Sequence, residues 1–569
     1  MFIKYIYKYC IILYYILHNK VNNIEKGINV DNLRNFTPKK ASFFKYLGWL
    51  LTTYILTGIF LAFNSSLILD FSLSVFYIVS VFVLVTAIYS FITLNKKYGL
   101  AALIVLGVYI ITLIIFSPIF NYKSHRALIG NVESVDFSDK VEHIDLNQLP
   151  IIDKDLAYKL ADKKLGEIPS LGSQVTIGDL SLQSILGQLY YVAPLEHSSL
   201  FKWFTNREGT TGYIKVSATN ESDVQLVTEL DGKDMKIKYL ESAYLFSDLH
   251  RAAYLRDMKN GHTDFTFELN DEGRPYWIIT RYDNAIGITE RKVTGVLVLD
   301  AQTGESNIYG IDDAPKWIDR IQPETYIRNY IDKWGELVHG VFNFSDKDKL
   351  TSTEDMNLIF NNDECYYYTG MTSIGNDEGL VGFMLTNTRT GETSMYKTAG
   401  ATEIASMKSA EGKVQQYGYI ATLPYLINIQ NEPTYFMTLK DSNGLVKQYA
   451  MVNVKNYNIV GVGDSLQSTL NKYLEGLTNT NISLEGSNSE ETLEGEIERI
   501  GLVVKEGTSI YDIKIKGQDN IFTVSTETSR EVALSSIGDK VKIKYIKIGD
   551  GKYILTNSFE NLTINNKVN

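Results

Sequence analysis

Apolar residues follow two different patterns along this chain, and the change between them divides the sequence. Near the N-terminus, three uncharged stretches of 24 or 25 residues follow one another, at 46–69, 71–95 and 98–122. About 20 apolar residues are needed to cross the hydrocarbon core of a bilayer. Charged residues lie at the ends of these stretches: Lys45, Asp70, Lys96, Lys97 and Lys123. The pattern predicts a membrane anchor of three transmembrane helices over residues 46–122.

Basic residues predict the orientation of this anchor. Two lysines separate the second stretch from the third, whereas segment 64–70 contains neither Lys nor Arg. The positive-inside rule places such basic flanks in the cytoplasm, and Lys123 and Arg126 are outnumbered. Three crossings then place everything after Phe120 outside the cytoplasmic membrane. The basic residues nearest the first stretch on its N-terminal side are Arg34, Lys39, Lys40 and Lys45.

The N-terminal segment, residues 1–45, leaves several interpretations open. Its first 20 residues form a short apolar run that Lys4 and Lys8 interrupt. The sequence that follows, LHNKVNN, lacks the small-residue cleavage site of a signal peptide. A fourth span, an interfacial helix and a start codon assigned too far upstream all fit this pattern. The location of the large domain is the same in each case.

Beyond residue 127, apolar residues alternate with polar ones, which is typical of β-strands. Residues 295–309 (GVLVLDAQTGESNIY) and 382–396 (GFMLTNTRTGETSMY) share Gly, Thr-Gly-Glu and Tyr at a constant offset of 87 residues. Each predicts a β-hairpin around a Thr-Gly turn, where Gly supplies a positive φ. Looser copies at 189–226 and 434–460 suggest four units of strand, hairpin and helix.

Helical patterns follow both hairpins, beginning at Ala314 and Ala401. Residues 317–337 also carry an apolar stripe at helical spacing, which predicts packing on the core through Trp317, Ile321, Ile327, Ile331 and Trp334. Repeated supersecondary units bury a shared core by stacking. We therefore expect residues 127–477 to form an α+β ectodomain of repeated strand-hairpin-helix units.

The turn sequence GVLVLDAQTGE resembles the strand and turn of PepSY domains, which carry a similar Asp-Ala-x-Thr-Gly-Glu motif. Residues 149–166 (LPIIDKDLAYKLADKKLG) are similar to the leading helix of that family, with Ala157 and Ala161 spaced by four. The resemblance covers short pieces within residues 127–477, and the second hairpin departs from it in TNTRTGE. It implies a protein that inhibits or regulates other proteins of the cell envelope. No functional residue is carried over, since the matching positions are turn and core residues.

A separate domain is expected at the C-terminal end. Residues 478–493 are rich in Asn, Ser, Thr and Glu without apolar periodicity, which predicts a linker. Five short alternating stretches within residues 494–565 predict a small closed β-barrel that resembles an OB-fold. Its aromatic residues are too scattered for the stacking surface of nucleic-acid-binding OB-folds. We expect a packing or protein-contact module.

Composition narrows the classes of partner and compartment. The net charge of −11, the pI near 5.3 and the absence of a Lys/Arg stripe argue against nucleic acid. Cys10 and Cys365 are the only cysteines, so the sequence carries no disulfide framework. An exported domain of this size without disulfides fits an envelope of Gram-positive type.

Motifs for catalysis or metal binding are missing from the sequence. The seven histidines form no His-x-x-x-His pair, and no Cys-x-x-Cys occurs. Asp346 and Asp348 resemble part of a calcium loop that lacks the required Gly and Glu. Ser199 and Lys202 match Ser-x-x-Lys without its supporting motifs. Cys365 fits a packed strand residue. We predict no catalytic, cofactor-binding or metal-binding residue.

One segment, residues 192–214, combines aromatic and charged residues between two expected strands. Such loops can form a binding surface, and we assign partner binding to Phe201, Trp203, Phe204 and Arg207. Two other interpretations are a hydrophobic plug between repeats and a segment that rests on the membrane.

These observations predict a membrane-anchored, extracytoplasmic binding or regulatory protein of the cell envelope without enzymatic activity. Its expected partners are the lipid bilayer, through three spans, and an envelope or membrane protein. One alternative is an envelope hydrolase whose site is assembled from residues distant in sequence. Another is an accessory subunit of a membrane transport or secretion complex.

Overall fold

The computed structural model describes residues 43–63, 71–135, 137, 148–353, 356–361, 364–375, 379–479, 491–505, 508–526, 528–545 and 553–565. The first 20 residues, Cys10 and most of the expected linker lie outside these ranges. The chain divides into two compact units. The first comprises residues 1–64 and 73–112, and the second comprises residues 65–72 and 113–569.

Three helices open the described chain: α1 (Phe43–Phe63), α2 (Phe71–Thr93) and α3 (Lys96–Phe116). Hydroxyl groups join α1 to α2, because the Tyr46 hydroxyl lies 2.8 Å from Thr86 Oγ1 and the Tyr77 hydroxyl donates to the Tyr54 carbonyl at 3.0 Å. Hydrogen bonds of this kind hold apolar helices together where no hydrophobic driving force acts between them.

The expected anchor of three spans is wrong. Among the described residues, two helical segments are long and apolar enough to cross a membrane, Ser74–Thr93 and Lys96–Phe116, with hydropathies of 2.4 and 2.8. The first expected span continued to residue 69, but α1 ends at Phe63. The remaining residues of that expected span, 64–69, lie outside the described residues.

The second unit consists mainly of β-strands. Up to residue 309, its described strands are β1 (Val132–Ser134), β2 (Val175–Ile177), β3 (Ser181–Ile185), β4 (Gln188–His197), β5 (Tyr213–Ser217), β6 (Val224–Val227), β7 (Glu229–Leu230), β8 (Lys233–Asp234), β9 (Gly261–Leu269), β10 (Pro275–Ile286), β11 (Glu290–Asp300) and β12 (Ser306–Tyr309). The strands that follow, up to residue 463, are β13 (Leu350–Ser352), β14 (Asn357–Asn361), β15 (Glu364–Ser373), β16 (Gly379–Asn387), β17 (Thr393–Ala401), β18 (Ile420–Ala421), β19 (Tyr425–Ile429), β20 (Glu432–Lys440), β21 (Val446–Asn453) and β22 (Val460–Gly463).

These strands form four main sheets, each built around an antiparallel meander, and β7 pairs with β8 alone. Sheet one has the order β2-β4-β5-β6 with β3 on β4, and sheet two the order β12-β11-β10-β9. Sheet three has the order β1-β17-β16-β15-β13 with β14 on β15, and sheet four the order β18-β20-β21-β22 with β19 on β20. Sheets one and two share one apolar core, sheets one and four share a second, and sheets three and four a third.

The described helices of this unit are few and short. They are α4 (Pro118–Arg126), α5 (Lys154–Gly166), α6 (Pro169–Gly172), α7 (Leu200–Thr205), α8 (Leu249–Arg256), α9 (Glu324–Glu336), α10 (Glu403–Lys413), α11 (Leu466–Asn479) and α12 (Leu562–Asn565).

The expected balance of an α+β domain is therefore wrong, and the helix expected from Ala314 is absent. Residues 311–322 form turns and irregular backbone, and the helix begins only at Glu324. Pro323 explains this boundary, because proline disfavours the helical conformation of the residue before it. Arg389 instead satisfies the carbonyls of this segment, donating to Ala314 at 2.9 Å and to Pro315 at 2.8 Å.

The two segments at the 87-residue offset occupy corresponding places in sheets two and three. Asp300 and Asn387 each accept at Oδ1 from the backbone N–H groups two and three residues later, at 2.8 to 3.0 Å. Val296 pairs with Tyr309 across the first turn, and Phe383 pairs with Tyr396 across the second. Both members of the second pair lie 87 residues after those of the first. The shared sequence thus produces the same turn and the same strand register.

One backbone contact recurs in sheets one, two and three, where the chain enters each sheet. A carbonyl just after the central strand of the meander accepts two consecutive backbone N–H groups from the segment before a helix. These contacts, at 2.8 to 3.0 Å, join Ile151 and Ile152 to Ala218, Lys238 and Tyr239 to Ala301, and Ile321 and Gln322 to Thr388.

A closed five-stranded barrel follows at the C-terminal end. Its order is β23-β24-β25-β27-β26, and β25 and β27 are parallel while the other described pairs are antiparallel. Isoleucine, valine and phenylalanine side chains fill its interior. The strands are β23 (Glu491–Lys505), β24 (Thr508–Ile515), β25 (Ile521–Ser525), β26 (Lys540–Tyr545) and β27 (Tyr553–Asn561).

A buried ionic group joins α4 to the sheets. Glu290, at the start of β11, lies 3.2 Å from His125 Nδ1 and 2.5 Å from Lys333 Nζ. The Asn329 amide donates to the same carboxylate at 3.3 Å, and His125 Nε2 lies 2.9 Å from the Phe116 carbonyl. The residues that directly follow α3 are therefore fixed to β11 and to α9.

A substitution at Gly295 tests the hairpin geometry. Its φ is +147°, and an added Cβ would lie 2.0 Å from the Tyr309 carbonyl oxygen. We expect Gly295→Ala to destabilise the sheet domain by about 2 kcal/mol or more, because both the backbone angle and the contact are unfavourable. Thermal unfolding followed by circular dichroism measures this. Gly412→Ala is the matched control, since Gly412 lies in α10 with open space around it; an equal loss of stability there would contradict the explanation.

Candidate functional site

The predicted binding segment forms a short helix after the longest strand of sheet one. Ser199 precedes α7 and caps it, because its Oγ accepts from the Lys202 N–H at 3.4 Å. At the other end, the Asn206 N–H donates to the Lys202 carbonyl at 3.0 Å. The helix therefore projects from the end of β4 in a fixed direction, and its side chains divide between core and solvent.

The structure separates the four predicted residues into two groups. Phe201 and Phe204 are 80% and 60% exposed, and Arg207 is also exposed. Trp203 is instead buried and belongs to the core shared by sheets one and two. The Arg207 guanidinium carbon lies 4.1 Å from the centroid of the Phe204 ring and 5.5 Å from that of Trp203. Trp203 thus supports the surface from below rather than forming it.

A second segment adds to this surface. The Tyr244 ring lies 5.3 Å from Trp203, and Leu245 and Phe246 follow it, with Phe246 79% exposed. We call the combined surface the aromatic patch, defined by Phe201, Phe204, Arg207, Tyr244, Leu245 and Phe246. Exposed apolar residues that lie together in this way mark sites of interaction.

Polar side chains beneath the patch fix the second segment. The Ser242 hydroxyl donates to the Glu196 carboxylate and accepts from the His197 N–H at 2.8 Å. Burial raises the pKa of Glu196, although its hydrogen bonds to Ser242 act in the opposite direction. Leu245 adopts a φ of +58°, which a non-glycine residue rarely does. The loop is thus held in one conformation with its apolar side chains in solvent.

Backbone contacts also fix Arg207. Thr210 and Ile237 exchange two backbone hydrogen bonds of 2.9 Å, which attach the loop after α7 to the segment before Ser242. Gly209 makes this approach possible, because its φ is +122° and an added Cβ would lie 2.4 Å from the Ile237 carbonyl oxygen. The two halves of the patch are therefore joined by the same backbone bridge.

Sequence reasoning missed Tyr244, Leu245 and Phe246. A Tyr-Leu-Phe run before an Asp that caps a helix suggests an apolar contact with that helix. Asp248 does cap α8, accepting from the Arg251 N–H at 2.8 Å. The run nevertheless faces solvent, and the local sequence does not indicate that Tyr244 contacts Trp203.

A second group of polar side chains, around Glu268, Asp319 and Arg320, is buried in the sheet domain. Glu268 Oε2 accepts from the Asp319 N–H at 3.2 Å, and Asp319 Oδ2 accepts from the Ser184 N–H at 2.6 Å. Arg320 donates to the Ser181 hydroxyl. Burial, followed by the nearby Asp319 carboxylate, raises the pKa of Glu268 to about 8.

This cluster fits a structural role. Glu268 has no exposed surface, and its carboxyl group accepts from the Asp319 N–H, in the irregular segment before α9, and from the Thr266 hydroxyl at 3.3 Å. Cys365 lies nearby in β15, and burial raises the pKa of its thiol, which leaves it unreactive. Asp346 and Asp348, considered for calcium, form ion pairs with Lys349 at 2.6 Å and with His339 at 2.8 Å. Among the described residues, no group of three or more His, Cys, Asp or Glu side chains is arranged to hold a metal ion.

Comparison with known proteins gives no family for this chain. No family model matches, and no curated protein matches. Solved structures that overlap with it, each at 10% identity, include an endo-1,4-beta-xylanase from Bacteroides thetaiotaomicron (TM-score 0.16, 51% of this chain, 76% of that chain), the polysaccharide lyase Uly1 (0.18, 66% and 75%) and a levansucrase mutant from B. megaterium (0.16, 77% and 97%). TM-scores this low carry no argument about fold or function.

The buried carboxyl group of Glu268 predicts a pH dependence of stability. Folded Glu268 keeps its proton up to about pH 8, whereas the unfolded side chain loses it near 4.5. The folded state therefore binds more protons between these values, and its stability falls as pH rises through this window.

Glu268→Gln removes this titration. We expect the variant to gain stability relative to the wild type between pH 5 and pH 8, measured as the difference between their unfolding temperatures. Glu305→Gln, in the exposed turn of sheet two, is the control and should follow the wild type at each pH. A constant difference between Glu268→Gln and the wild type across this range would show that Glu268 is ionised in the folded protein.

Proposed function

We propose that this chain is a membrane-anchored binding protein whose sheet domain lies outside the cytoplasm and captures an envelope protein through the aromatic patch. The single observation that carries the proposal is the patch itself, which combines four exposed aromatic side chains with Leu245 and with an arginine stacked on Phe204. Aromatic residues and arginine are enriched among the residues that dominate binding energy at protein interfaces.

The surroundings of the patch favour a protein partner. Glu208 and Glu241 are exposed charged residues at its two loops, and Lys202 lies on α7 beside Phe201. An apolar centre with a charged, hydrated rim is the usual anatomy of a protein interface. Because Ser242 and Gly209 hold the loops in place, little conformational entropy is lost on binding.

Two features support the location. The described chain contains two helical segments capable of crossing a membrane. Lys96 and Lys97 lie between them, and basic flanks favour the cytoplasmic side. A crossing by α3 would then carry everything after Phe116 to the other side. The PepSY-like turn sequence agrees with an envelope protein that regulates others, and the proposal includes no catalytic step.

Site-specific crosslinking tests the binding function. A photoreactive phenylalanine analogue at Phe246 is expected to form a defined adduct in intact cells, and the same analogue at Tyr417 should not. Tyr417 is a suitable control because it is exposed but lies next to α10 in a distant part of the sequence. Adding Phe201→Ser and Arg207→Ser should abolish the adduct while leaving the unfolding temperature within about 2 °C, as expected for exposed residues. The same adducts at Phe246 and at Tyr417 would contradict the proposed binding function. An adduct at Phe246 that persists in the variant with both serine substitutions would contradict it as well.

Reporter fusions test the location. Alkaline phosphatase fused after the C-terminus should be active and green fluorescent protein at the same place should be dark, because the sheet domain is expected outside the cytoplasm. Fusions after Asn95, between the two apolar helices, should show the opposite result. Fluorescence at the C-terminal fusion would place the sheet domain in the cytoplasm and overturn the proposed location.

A further inference from the structure

We propose a second membrane contact in the sheet domain: Phe342 and Phe344 enter the headgroup region of the bilayer that α3 crosses. This inference rests on the proposed membrane location of α3. Residues 338–349 form the loop between α9 and β13, and we call them the interfacial loop.

The interfacial loop lies beside the residues that follow α3. An added Cβ at Gly340 would be 3.7 Å from the ring of Tyr122, six residues beyond the end of α3 at Phe116. The Arg126 guanidinium donates to the Trp334 carbonyl at 2.9 Å and stacks on its ring at 5.5 Å. The buried Glu290 network fixes the same region. The loop is thus held close to the end of α3.

Its phenylalanines face solvent, and so do apolar side chains of α4. Phe342 and Phe344 are 69% and 83% exposed, and their ring centroids are 6.0 Å apart. On α4, Phe120 is 67% exposed and Ile119 is about half exposed. Apolar side chains in this number, next to the end of an apolar helix, fit the boundary between acyl chains and headgroups.

The backbone of the interfacial loop is fixed, so the exposure is not a result of a loose chain. The buried Asn343 side chain donates to the Lys347 carbonyl at 2.8 Å and accepts from the Ser345 hydroxyl at 3.0 Å. Asp346 and Asp348 have φ values of +52° and +59°. This arrangement places the residues on either side of Asn343 outward.

Both carboxylates of the loop have a basic partner, which favours contact with lipid. Lys349 Nζ lies 2.6 Å from Asp346, and His339 Nε2 lies 2.8 Å from Asp348. A carboxylate with a close basic partner loses less hydration free energy near a low-dielectric surface than an isolated carboxylate. A bilayer is therefore favoured as the occupant, because the end of α3 brings it to this loop without any further partner.

Fluorescence quenching in reconstituted vesicles tests the contact. The full chain with Cys10→Ser and Phe344→Cys is labelled with an environment-sensitive fluorophore; Cys365 is buried and is not labelled under native conditions. The vesicles contain phosphatidylcholine and phosphatidylglycerol with a nitroxide either near the headgroup or deep in the acyl chain. We expect at least twofold stronger quenching by the shallow nitroxide, and the same for Phe342→Cys.

Two reference positions separate the outcomes. Ile110→Cys, within α3, should be quenched more strongly by the deep nitroxide, and Phe201→Cys in the aromatic patch should not be quenched. Quenching at Ile110 without quenching at either loop position would overturn this inference and leave the proposed location intact. No quenching at Ile110 would overturn the membrane location of α3 and the interfacial contact together.

Discussion

The buried carboxylate of Glu290 is the contact on which the arrangement of the second unit depends. It lies at the start of β11 and meets His125 from α4 and Lys333 from α9, so that three elements distant in sequence converge on one group. Removing one partner from a buried ion pair leaves an uncompensated charge and costs several kcal/mol. A purely hydrophobic contact would let α4 and α9 shift along β11. The directional contacts of Glu290 with His125 and Lys333 instead fix their relative positions. The positions of α4 and of the interfacial loop after α9 both follow from it.

Two of the sheets are built with the same small set of turn and backbone contacts. Asp300 and Asn387 build matching turns, and the carbonyl one residue later, in Ala301 or Thr388, accepts two N–H groups from the incoming chain. Because that carbonyl is fixed by the turn, the incoming segment is placed with it. A turn of five residues therefore determines both a strand register and the point at which the chain enters the same sheet.

Local features of this fold could be predicted from the sequence, and features set by distant contacts could not. The turns at Gly304 and Gly391 require a positive φ and were predictable, since the signal lies within a few residues. The helix boundary at Pro323 is equally local, but the apolar periodicity of residues 317–337 runs across it and predicts a longer helix than the one that forms. The burial of Trp203 and the exposure of Phe246 depend on a bridge between Thr210 and Ile237, which no local pattern indicates.

Both exposed aromatic surfaces are supported in the same physical way. Ser242 fixes the loop of the aromatic patch, and Asn343 fixes the interfacial loop, each through hydrogen bonds from a polar side chain that lies below the exposed rings. A flexible loop would fold its phenylalanines inward, because burial of one such side chain is worth about 1.5 to 3 kcal/mol. Positive φ values at Leu245, Asp346 and Asp348 add backbone strain to both loops. Backbone strain near exposed apolar side chains is retained where it serves an interaction, which agrees with the contacts proposed for both surfaces.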